Sequence, residues 1–267
     1  MNDAPIGVFD SGIGGLTVVA AIMQALPDER VVYVGDTARV PYGPKSPETV
    51  VRYSRQIASW LLEQHVKAIV IACNTATAHA LETLQRECPV PVIGVVQPGA
   101  RAAVGATRNG RIGVIGTTGT INSGAYRRAI AELAPEAMVV GTACPLFVPL
   151  VEEGWVEHPA TRLIVETYLQ PLRAANVDTL VLGCTHYPLL APMIGEVVGG
   201  EVTLVDSAAE TANALRDVLS ANALATSAVG RSPMHRFIAT DAPDAFRRVG
   251  QRFIGPALDS VETTVFA

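Results

Sequence analysis

The amino-acid sequence predicts an α/β protein of two similar parallel-sheet domains, related by pseudo-symmetry, with a functional site in the cleft between them. Its 267 residues are enough for two domains of about 130 residues each. Short runs rich in Val and Ile alternate with longer segments of helical periodicity, which is typical of parallel sheets covered by helices on both faces. Two strand-to-helix motifs also occur twice, in the same order, which indicates that both domains share one design.

The apolar runs predict strands, and the periodic segments between them predict helices. We expect strands near residues 6–9, 31–34, 68–72, 91–95, 111–115, 137–140, 178–183 and 202–205. We expect helices over residues 16–26, 48–64, 77–87, 123–133, 159–174 and 208–219. An apolar segment at 237–240 and an aromatic-bearing helix ending near residue 253 follow.

The internal repeat is the most informative pattern. IGVFDSG (6–12) resembles IGVIGTT (112–118), and AIVIACNT (68–75) resembles TLVLGCTH (179–186). The spacing between the two motifs is similar in each half, so each predicted domain carries one cysteine at the carboxyl end of a strand. Ligands of open parallel sheets bind beyond these strand ends. If the domains face each other, the two cysteines therefore lie on opposite walls of one cleft.

The domain boundary is expected near residues 97–99, where a predicted strand ends in Pro and Gly. The first domain would cover residues 1–98, completed by residues 207–267, and the second would cover residues 99–206. The C-terminal segment is short for a core of its own, so we expect it to pack onto the first domain.

Composition and charge exclude several classes of protein. The net charge is −5 and no basic stripe is present, which argues against nucleic-acid binding. No apolar run is long enough to span a membrane. The first residues lack a signal-peptide pattern, so a cytoplasmic location is expected. The cysteines form no CxxC motif and the histidines show no zinc-ligand spacing, so neither a disulfide framework nor a metal site is expected.

Cys73 and Cys184 are the main candidates for chemistry. A lone cysteine after an apolar strand is more often an inert buried side chain, and we assign Cys88 and Cys144 to that class. Cys73 and Cys184 instead precede hydroxyl, amide or imidazole groups in strand-to-helix turns. A helix N-terminus or a nearby cation would lower the pKa of each thiol and make it a usable base.

Three further side chains have both a structural and a functional interpretation. Asp10 could be a helix N-cap or a site residue, and the GxGG that follows it lacks the spacing of a dinucleotide fingerprint. His186 could be a core histidine or share a proton with Cys184. Glu152 could be a solvated helix end. The turn residues 41–43 and the N-cap candidates Thr117, Thr118 and Thr120 complete a pocket poor in Arg, which suits a small zwitterion with carboxylates.

Taken together, the motifs resemble those of the glutamate racemase family. The resemblance covers nearly the whole chain and is carried by GVFDSGIGGLTV (7–18), YVGDTARVPYG (33–43), VIACNTATA (70–78), IGVIGTTGTI (112–121), CPLFVPLVEEG (144–154), LVLGCTHYPLL (180–190) and, more weakly, FIATDAPDAF (237–246). It implies a homodimeric enzyme that needs neither pyridoxal phosphate nor a metal and supplies D-glutamate for peptidoglycan synthesis.

The resemblance also implies roles for individual residues. Cys73 and Cys184 would be the two acid/base groups, with Asp10 assisting the first and Glu152 and His186 assisting the second. The residues implied to hold the substrate are Asp10, Ser11, Tyr42, Gly43, Asn74, Thr75, Thr185 and His186.

Racemisation removes the α-proton from one face of the substrate and returns a proton to the other, which favours two groups on opposite walls. Three alternatives stay open at this point. The nearest is a racemase for aspartate or a hydantoin. The second is a non-catalytic amino-acid-binding protein, which would have no use for paired thiols. The third is cysteine-dependent acyl transfer, which needs one nucleophile and one base and does not explain the repeated cysteine turn.

Overall fold

Ten strands are present in the computed structural model, which describes residues 3–228, 230 and 233–266. Each of the eight apolar runs predicted before residue 206 corresponds to one strand, and the C-terminal segment contributes two more. In chain order they are β1 (Ile6–Asp10), β2 (Val31–Gly35), β3 (Ala68–Ile71), β4 (Val92–Gly94), β5 (Arg111–Gly116), β6 (Met138–Ala143), β7 (Thr179–Gly183), β8 (Thr203–Val205), β9 (Arg236–Ala239) and β10 (Glu262–Thr263).

The strands form two separate parallel sheets. The first sheet has the order β10-β9-β2-β1-β3-β4, and the second has the order β6-β5-β7-β8. Every pairing in both sheets is parallel. Without β9 and β10, the first sheet has the same connectivity as the second, because β1 to β4 occupy the positions of β5 to β8. The predicted fold class, two parallel-sheet α/β units of common design, is confirmed.

Helices connect the strands and cover both faces of each sheet. They are α1 (Leu16–Ala25), α2 (Pro47–Glu63), α3 (Asn74–Glu87), α4 (Val96–Ala106), α5 (Thr118–Ser123), α6 (Ala125–Leu133), α7 (Phe147–Glu152), α8 (Pro159–Ala174), α9 (Ala191–Val198), α10 (Ser207–Ala221) and α11 (Pro243–Ile254). Short 3-10 helices cover Thr37–Arg39, Tyr187–Leu190 and Gly255–Ala257. No helix of the described residues is long and apolar enough to cross a membrane.

The core of the first sheet has two faces because successive strand side chains point in opposite directions. Ile6 and Val8 of β1 pack with α1 and α10 on one face. Phe9 packs with α2 and α3 on the other. Both clusters are fully buried, so the carboxyl end of the sheet is a rigid base for the loops that follow it.

The C-terminal segment adds to the first sheet. Strand β9 pairs with β2, with Phe237 opposite Tyr33, and α10 packs against α1. These contacts agree with the expected position of the segment, while the division of the chain near residue 98 stays a prediction. The predicted apolar segment 237–240 corresponds to β9, and the helix ending near residue 253 corresponds to α11. Within the Ala- and Ser-rich stretch, Val229, Arg231 and Ser232 lie outside the described residues.

One local prediction is wrong. Pro98 and Gly99 do not end a strand, because α4 begins at Val96 and continues through them. Pro98 is the third helical residue, where a backbone N–H has no partner within the helix in any case. The helix predicted over 123–133 corresponds to α6, which begins at Ala125 because Gly124, with a φ of 67°, ends α5 and lets the chain change direction.

Candidate active site

The carboxyl ends of β1, β3 and β7 bring the sequence-predicted residues together. Asp10 is the last residue of β1. Cys73 is the N-cap of α3, where its sulfur accepts a hydrogen bond from the backbone N–H of Ala76 at 3.4 Å. Cys184 directly follows β7 and is buried. The two cysteines thus occupy equivalent positions in the two sheets.

Cys73 lies in a dry, acidic environment. Its Sγ is 3.7 Å from the Ser11 hydroxyl oxygen, and the side chain is buried. Burial and the adjacent Asp10 carboxylate raise the pKa of Cys73 from 9.0 to about 12, although the hydrogen bond from Ala76 acts in the opposite direction. The expectation of a lowered pKa is therefore wrong for the unliganded protein, because desolvation outweighs the helix N-terminus.

Cys184 has a histidine as its neighbour. Its Sγ is 3.9 Å from Nδ1 of His186. Burial raises the pKa of Cys184 well above its ordinary value, and the charges of Cys73, Asp10 and Glu152 raise it further, against a lowering hydrogen bond from the His186 backbone. The lowered pKa expected for this thiol is wrong as well. A negative charge on Cys73 thus disfavours ionisation of Cys184.

Asp10 connects the two sheets. Its Oδ1 accepts a hydrogen bond from the Gly12 N–H at 2.9 Å, and its Oδ2 accepts one from the Thr185 hydroxyl at 3.3 Å. The N-cap interpretation of Asp10 is wrong, because α1 is capped by Gly15 without a side-chain bond. Burial raises the pKa of Asp10, partly offset by His186 and these hydrogen bonds.

Glu152 and His186 form a second pair beside Cys184. His186 Nε2 is 2.9 Å from Glu152 Oε1, so the two nitrogens of this buried ring face a carboxylate and a thiol. Glu152 is the last residue of α7 and its side chain is 33% exposed. Glu152 is thus a partly exposed helix end, as its position predicts, and it also contacts the site through His186. The rings of His186 and Phe253 also pack in a T-shaped arrangement, with centroids 5.9 Å apart.

The loop after β2 reaches the second sheet through its backbone. The Gly43 carbonyl accepts a hydrogen bond from the Gly119 N–H at 2.8 Å. Tyr42 is buried and its hydroxyl donates to Asp36, so the phenol is already engaged.

A triangle of threonine hydroxyls lies where α3 meets α5. Thr75 Oγ1 is 2.8 Å from Thr117 Oγ1 and 3.1 Å from Thr120 Oγ1, and Thr117 and Thr120 are 3.1 Å apart. Thr117 is the N-cap of α5, as its sequence context indicates. Its contact with Thr75 is not among the sequence predictions, and the alignment of Thr117 with Ser11 in the repeat does not indicate Thr75 as its partner.

A cavity of about 340 Å³ opens between the two sheets near these residues. Residues of the loop after β2 form one wall, and residues of α5 and α7 form the other. Its lining includes Val40, Pro41, Gly43, Thr117, Pro149 and Glu152. A larger cavity of about 450 Å³ lies by Arg108 and Asp178, at the amino end of the second sheet, away from every residue singled out for chemistry.

Metal-ligating side chains do not cluster in this cleft. Across the described residues, no group of three or more His, Cys, Asp or Glu side chains could hold a metal ion. Independence from metal and pyridoxal phosphate stays a prediction that solution chemistry has to test.

Comparison with known proteins assigns the chain to a family. Residues 6–215 match the Asp/Glu/Hydantoin racemase family. The chain belongs to the Asp/Glu/Hydantoin racemase family. Within this family it is 57% identical, over 96% of its length and 94% of the relative's, to a glutamate racemase of Geobacter metallireducens. The resemblance found in the sequence is confirmed, and the family's chemistry makes the chain an isomerase.

Solved structures of the racemase family have the same fold. A glutamate racemase from Bacillus anthracis matches with a TM-score of 0.94 at 40% identity, covering 100% of this chain and 98% of that one. One from Francisella tularensis, in complex with D-glutamate, matches with a TM-score of 0.93 at 38% identity, covering 100% and 99%. The likeness to an aspartate racemase of Picrophilus torridus, at 19% identity, shows the fold alone. The binding-protein and acyl-transfer alternatives do not agree with this family.

Proposed function

We propose that this chain interconverts L- and D-glutamate without a cofactor, with Cys73 and Cys184 acting on opposite faces of the α-carbon. One observation carries the proposal: equivalent strands of two sheets with the same connectivity are each followed by a buried cysteine, and each thiol has titratable side chains beside it. Asp10 is beside Cys73, and the His186–Glu152 pair is beside Cys184. A binding protein needs no such duplication.

The site offers complementary groups for each part of glutamate. The Asp10 carboxylate is suited to the α-ammonium group. Carboxylates are suited to hydroxyl, amide and backbone N–H donors, and the residues proposed to supply them are Ser11, Tyr42, Gly43, Asn74, Thr75 and Thr185. The related Francisella enzyme was solved with D-glutamate, and relatives at 48–57% identity are glutamate racemases, which supports glutamate over aspartate.

Substrate binding is the step that creates the thiolate. Burial raises the pKa of both thiols, so the proposal needs a group that favours the thiolate when the substrate binds. The incoming ammonium group places a positive charge beside Cys73 and Asp10 and thereby favours an anionic sulfur. On the other wall, Glu152 accepts a hydrogen bond from Nε2–H of His186, which holds the neutral ring in the tautomer whose Nδ1 lone pair faces the Cys184 thiol.

The reaction then proceeds by transfer of two protons. One thiolate removes the α-proton, and the opposite thiol donates its own proton to the other face; the reverse reaction exchanges their roles. The carbanionic intermediate is stabilised by hydrogen bonds to the α-carboxylate, whose oxygens take up the charge, and by exclusion of water from the closed cleft.

The cellular setting is part of the proposal. The product D-glutamate would supply peptidoglycan synthesis, and the four free cysteines suit a reducing cytoplasm. We further propose a homodimer, as the family resemblance implies. Size-exclusion chromatography with light scattering tests it, and a monomer at all concentrations would refute it.

The central experiment is a circular-dichroism assay of the purified protein with L-glutamate, with a metal chelator present and no pyridoxal phosphate added. We expect the signal to decay to zero as the racemate forms, and we expect no decay with L-aspartate. Activity lost on chelation and restored by a metal, or a preference for aspartate, would contradict the proposal.

A further inference from the structure

A hydrogen bond between the two sheets' helices fixes the side chain that follows Cys73. The hydroxyl of Tyr126, in α6, donates to Oδ1 of Asn74, the first residue of α3, at 2.7 Å. Both residues are 3% exposed. The contact joins a helix packed on the second sheet to the helix that carries the cysteine turn of the first.

This contact uses the oxygen of the Asn74 amide but not its NH2 group. The Asn74 Nδ2 group is buried and has no hydrogen-bond partner among the described residues. A buried donor without a partner is costly in a folded protein, so its presence next to Cys73 indicates a group that is satisfied when a ligand binds. A carboxylate only accepts hydrogen bonds and therefore fits an amide NH2.

The orientation of the amide decides whether that fit is attractive or repulsive. The terminal torsion of asparagine is broad and roughly two-fold, so the side chain alone does not choose between its oxygen and its nitrogen. A flipped amide would turn Oδ1 toward the carboxylate and would repel it. The Tyr126 hydroxyl proton, given to Oδ1, selects the productive orientation.

Tyr126 is itself firmly placed. Its ring packs against Gly183, where an added Cβ would lie 3.2 Å from Cε2, and Gly183 directly precedes Cys184. Its hydroxyl is also hydrogen-bonded by Ser207 at the start of α10. Tyr126 thus contacts Gly183, which directly precedes Cys184, and orients Asn74, which directly follows Cys73.

We propose that Tyr126 is a positioning residue for racemisation, which holds the Asn74 amide with its NH2 group facing a substrate carboxylate. The inference rests on the proposed role of Asn74 as a substrate ligand. It goes beyond the motifs that carry the family resemblance, since Tyr126 lies outside all of them.

The test is a double-mutant cycle with Tyr126→Phe and Asn74→Ala, measured as KM and kcat for both enantiomers. We expect Tyr126→Phe to raise KM about tenfold and to lower kcat less than KM rises. In the Asn74→Ala background, the same substitution should change KM less than about twofold, because the amide that it orients is gone.

Tyr187→Phe is the matched control. Tyr187 is also fully buried and its hydroxyl donates to the Cys144 carbonyl at 2.8 Å, but it does not touch Asn74. We expect both Tyr→Phe variants to lower the thermal midpoint by similar amounts, and only Tyr126→Phe to change KM.

The outcomes separate the inference from the proposed function. If Asn74→Ala raises KM while Tyr126→Phe changes only the thermal midpoint, or if the two effects are additive, the positioning role is wrong and the racemase site stands. If Asn74→Ala itself leaves KM unchanged, Asn74 is not a substrate ligand, and both its proposed role and the inference fall.

Discussion

Glu152 Oε1 lies 2.9 Å from Nε2 of His186, on the side of the ring opposite the Cys184 thiol. Asp10 holds the corresponding place beside Cys73. Glu152→Gln and Asp10→Asn preserve side-chain shape but remove the carboxylate charge; in the proposed mechanism Glu152 assists Cys184 and Asp10 assists Cys73. We expect each to lower kcat/KM roughly 10- to 100-fold.

The direction of the reaction distinguishes these two variants. Two enantiomers have equal free energies, so kcat/KM must fall equally in both directions. The α-deuterium isotope effect, however, should increase in the direction in which the weakened thiol is the base. We expect the affected direction to be opposite in Glu152→Gln and Asp10→Asn; the same direction in both would contradict the assignment of one assisting group to each cysteine.

The cysteines themselves give the largest expected effects. Cys73→Ala and Cys184→Ala should each reduce racemisation by roughly 10² to 10⁴ or more, because each removes an acid/base group. Cys88→Ala and Cys144→Ala serve as controls and should change mainly the thermal midpoint, by the equivalent of about 1 kcal/mol. Near-normal turnover in either the Cys73 or the Cys184 variant would refute the two-base site.

Deuterium incorporation tests the opposed geometry of the two thiols. In D₂O, early product should carry deuterium at the α-carbon, since a solvent-exchanged thiol delivers it, while recovered substrate should carry little. The pattern should be the same from L- and from D-glutamate. Early product that retains the original proton, measured by mass spectrometry, would indicate a single base serving both faces.

The raised thiol pKa values predict a loss of stability in alkali. An unfolded chain releases the Cys73 proton near pH 9.0, whereas the folded chain holds it to about pH 12. Between these values the folded state binds more protons, so the free energy of unfolding falls as pH rises, by about 1.4 kcal/mol per pH unit for this thiol. Below pH 9 the contribution is fully present.

Urea unfolding of the wild type and Cys73→Ala at pH 8 and pH 10.5 measures this contribution. We expect the urea midpoint of Cys73→Ala to fall less over that interval, because the variant lacks the titrating thiol. Equal falls in both proteins would mean that Cys73 ionises in the folded state near its ordinary pKa.

Gly119 is expected to control how closely the two sheets approach. A Cβ at this position would lie 2.8 Å from the Gly43 carbonyl oxygen and 3.0 Å from Thr75 Cγ2, so Gly119→Ala should separate the loop after β2 from α5. We expect KM to rise at least about tenfold with little loss of helix by circular dichroism.

Gly105→Ala is the control for this variant. Gly105 lies in α4 with no atom within 4 Å of the added methyl group, so KM should stay unchanged. A normal KM in Gly119→Ala would show that the contact with Gly43 is not needed for binding.

Much of the fold follows from local sequence, because the central apolar runs are strands buried on both faces, as in β1, β3 and β7. The repeat in turn predicts that Asp10, Cys73 and Cys184 lie at strand ends. Long-range contacts are different: nothing in the sequence around Asn74 indicates that Tyr126 binds its amide, and nothing around Thr75 indicates the hydroxyls of Thr117 and Thr120. The direction of the thiol pKa shifts is also beyond local sequence, since it depends on how completely the assembled loops exclude water.

The matching strand order of the two sheets has a geometric consequence for a reaction that interconverts two enantiomers. A chain of L-amino acids contains no mirror plane, so it cannot surround the two enantiomers with mirror-image halves. Duplicating one unit supplies a second copy of the same strand-end thiol instead, and in the proposed mechanism the two copies act on opposite faces of the α-carbon. Asp10, Glu152 and Asn74 occur only once. In that mechanism these single-copy groups account for any difference in kcat and KM between the two directions, while the equilibrium constant between enantiomers stays at one.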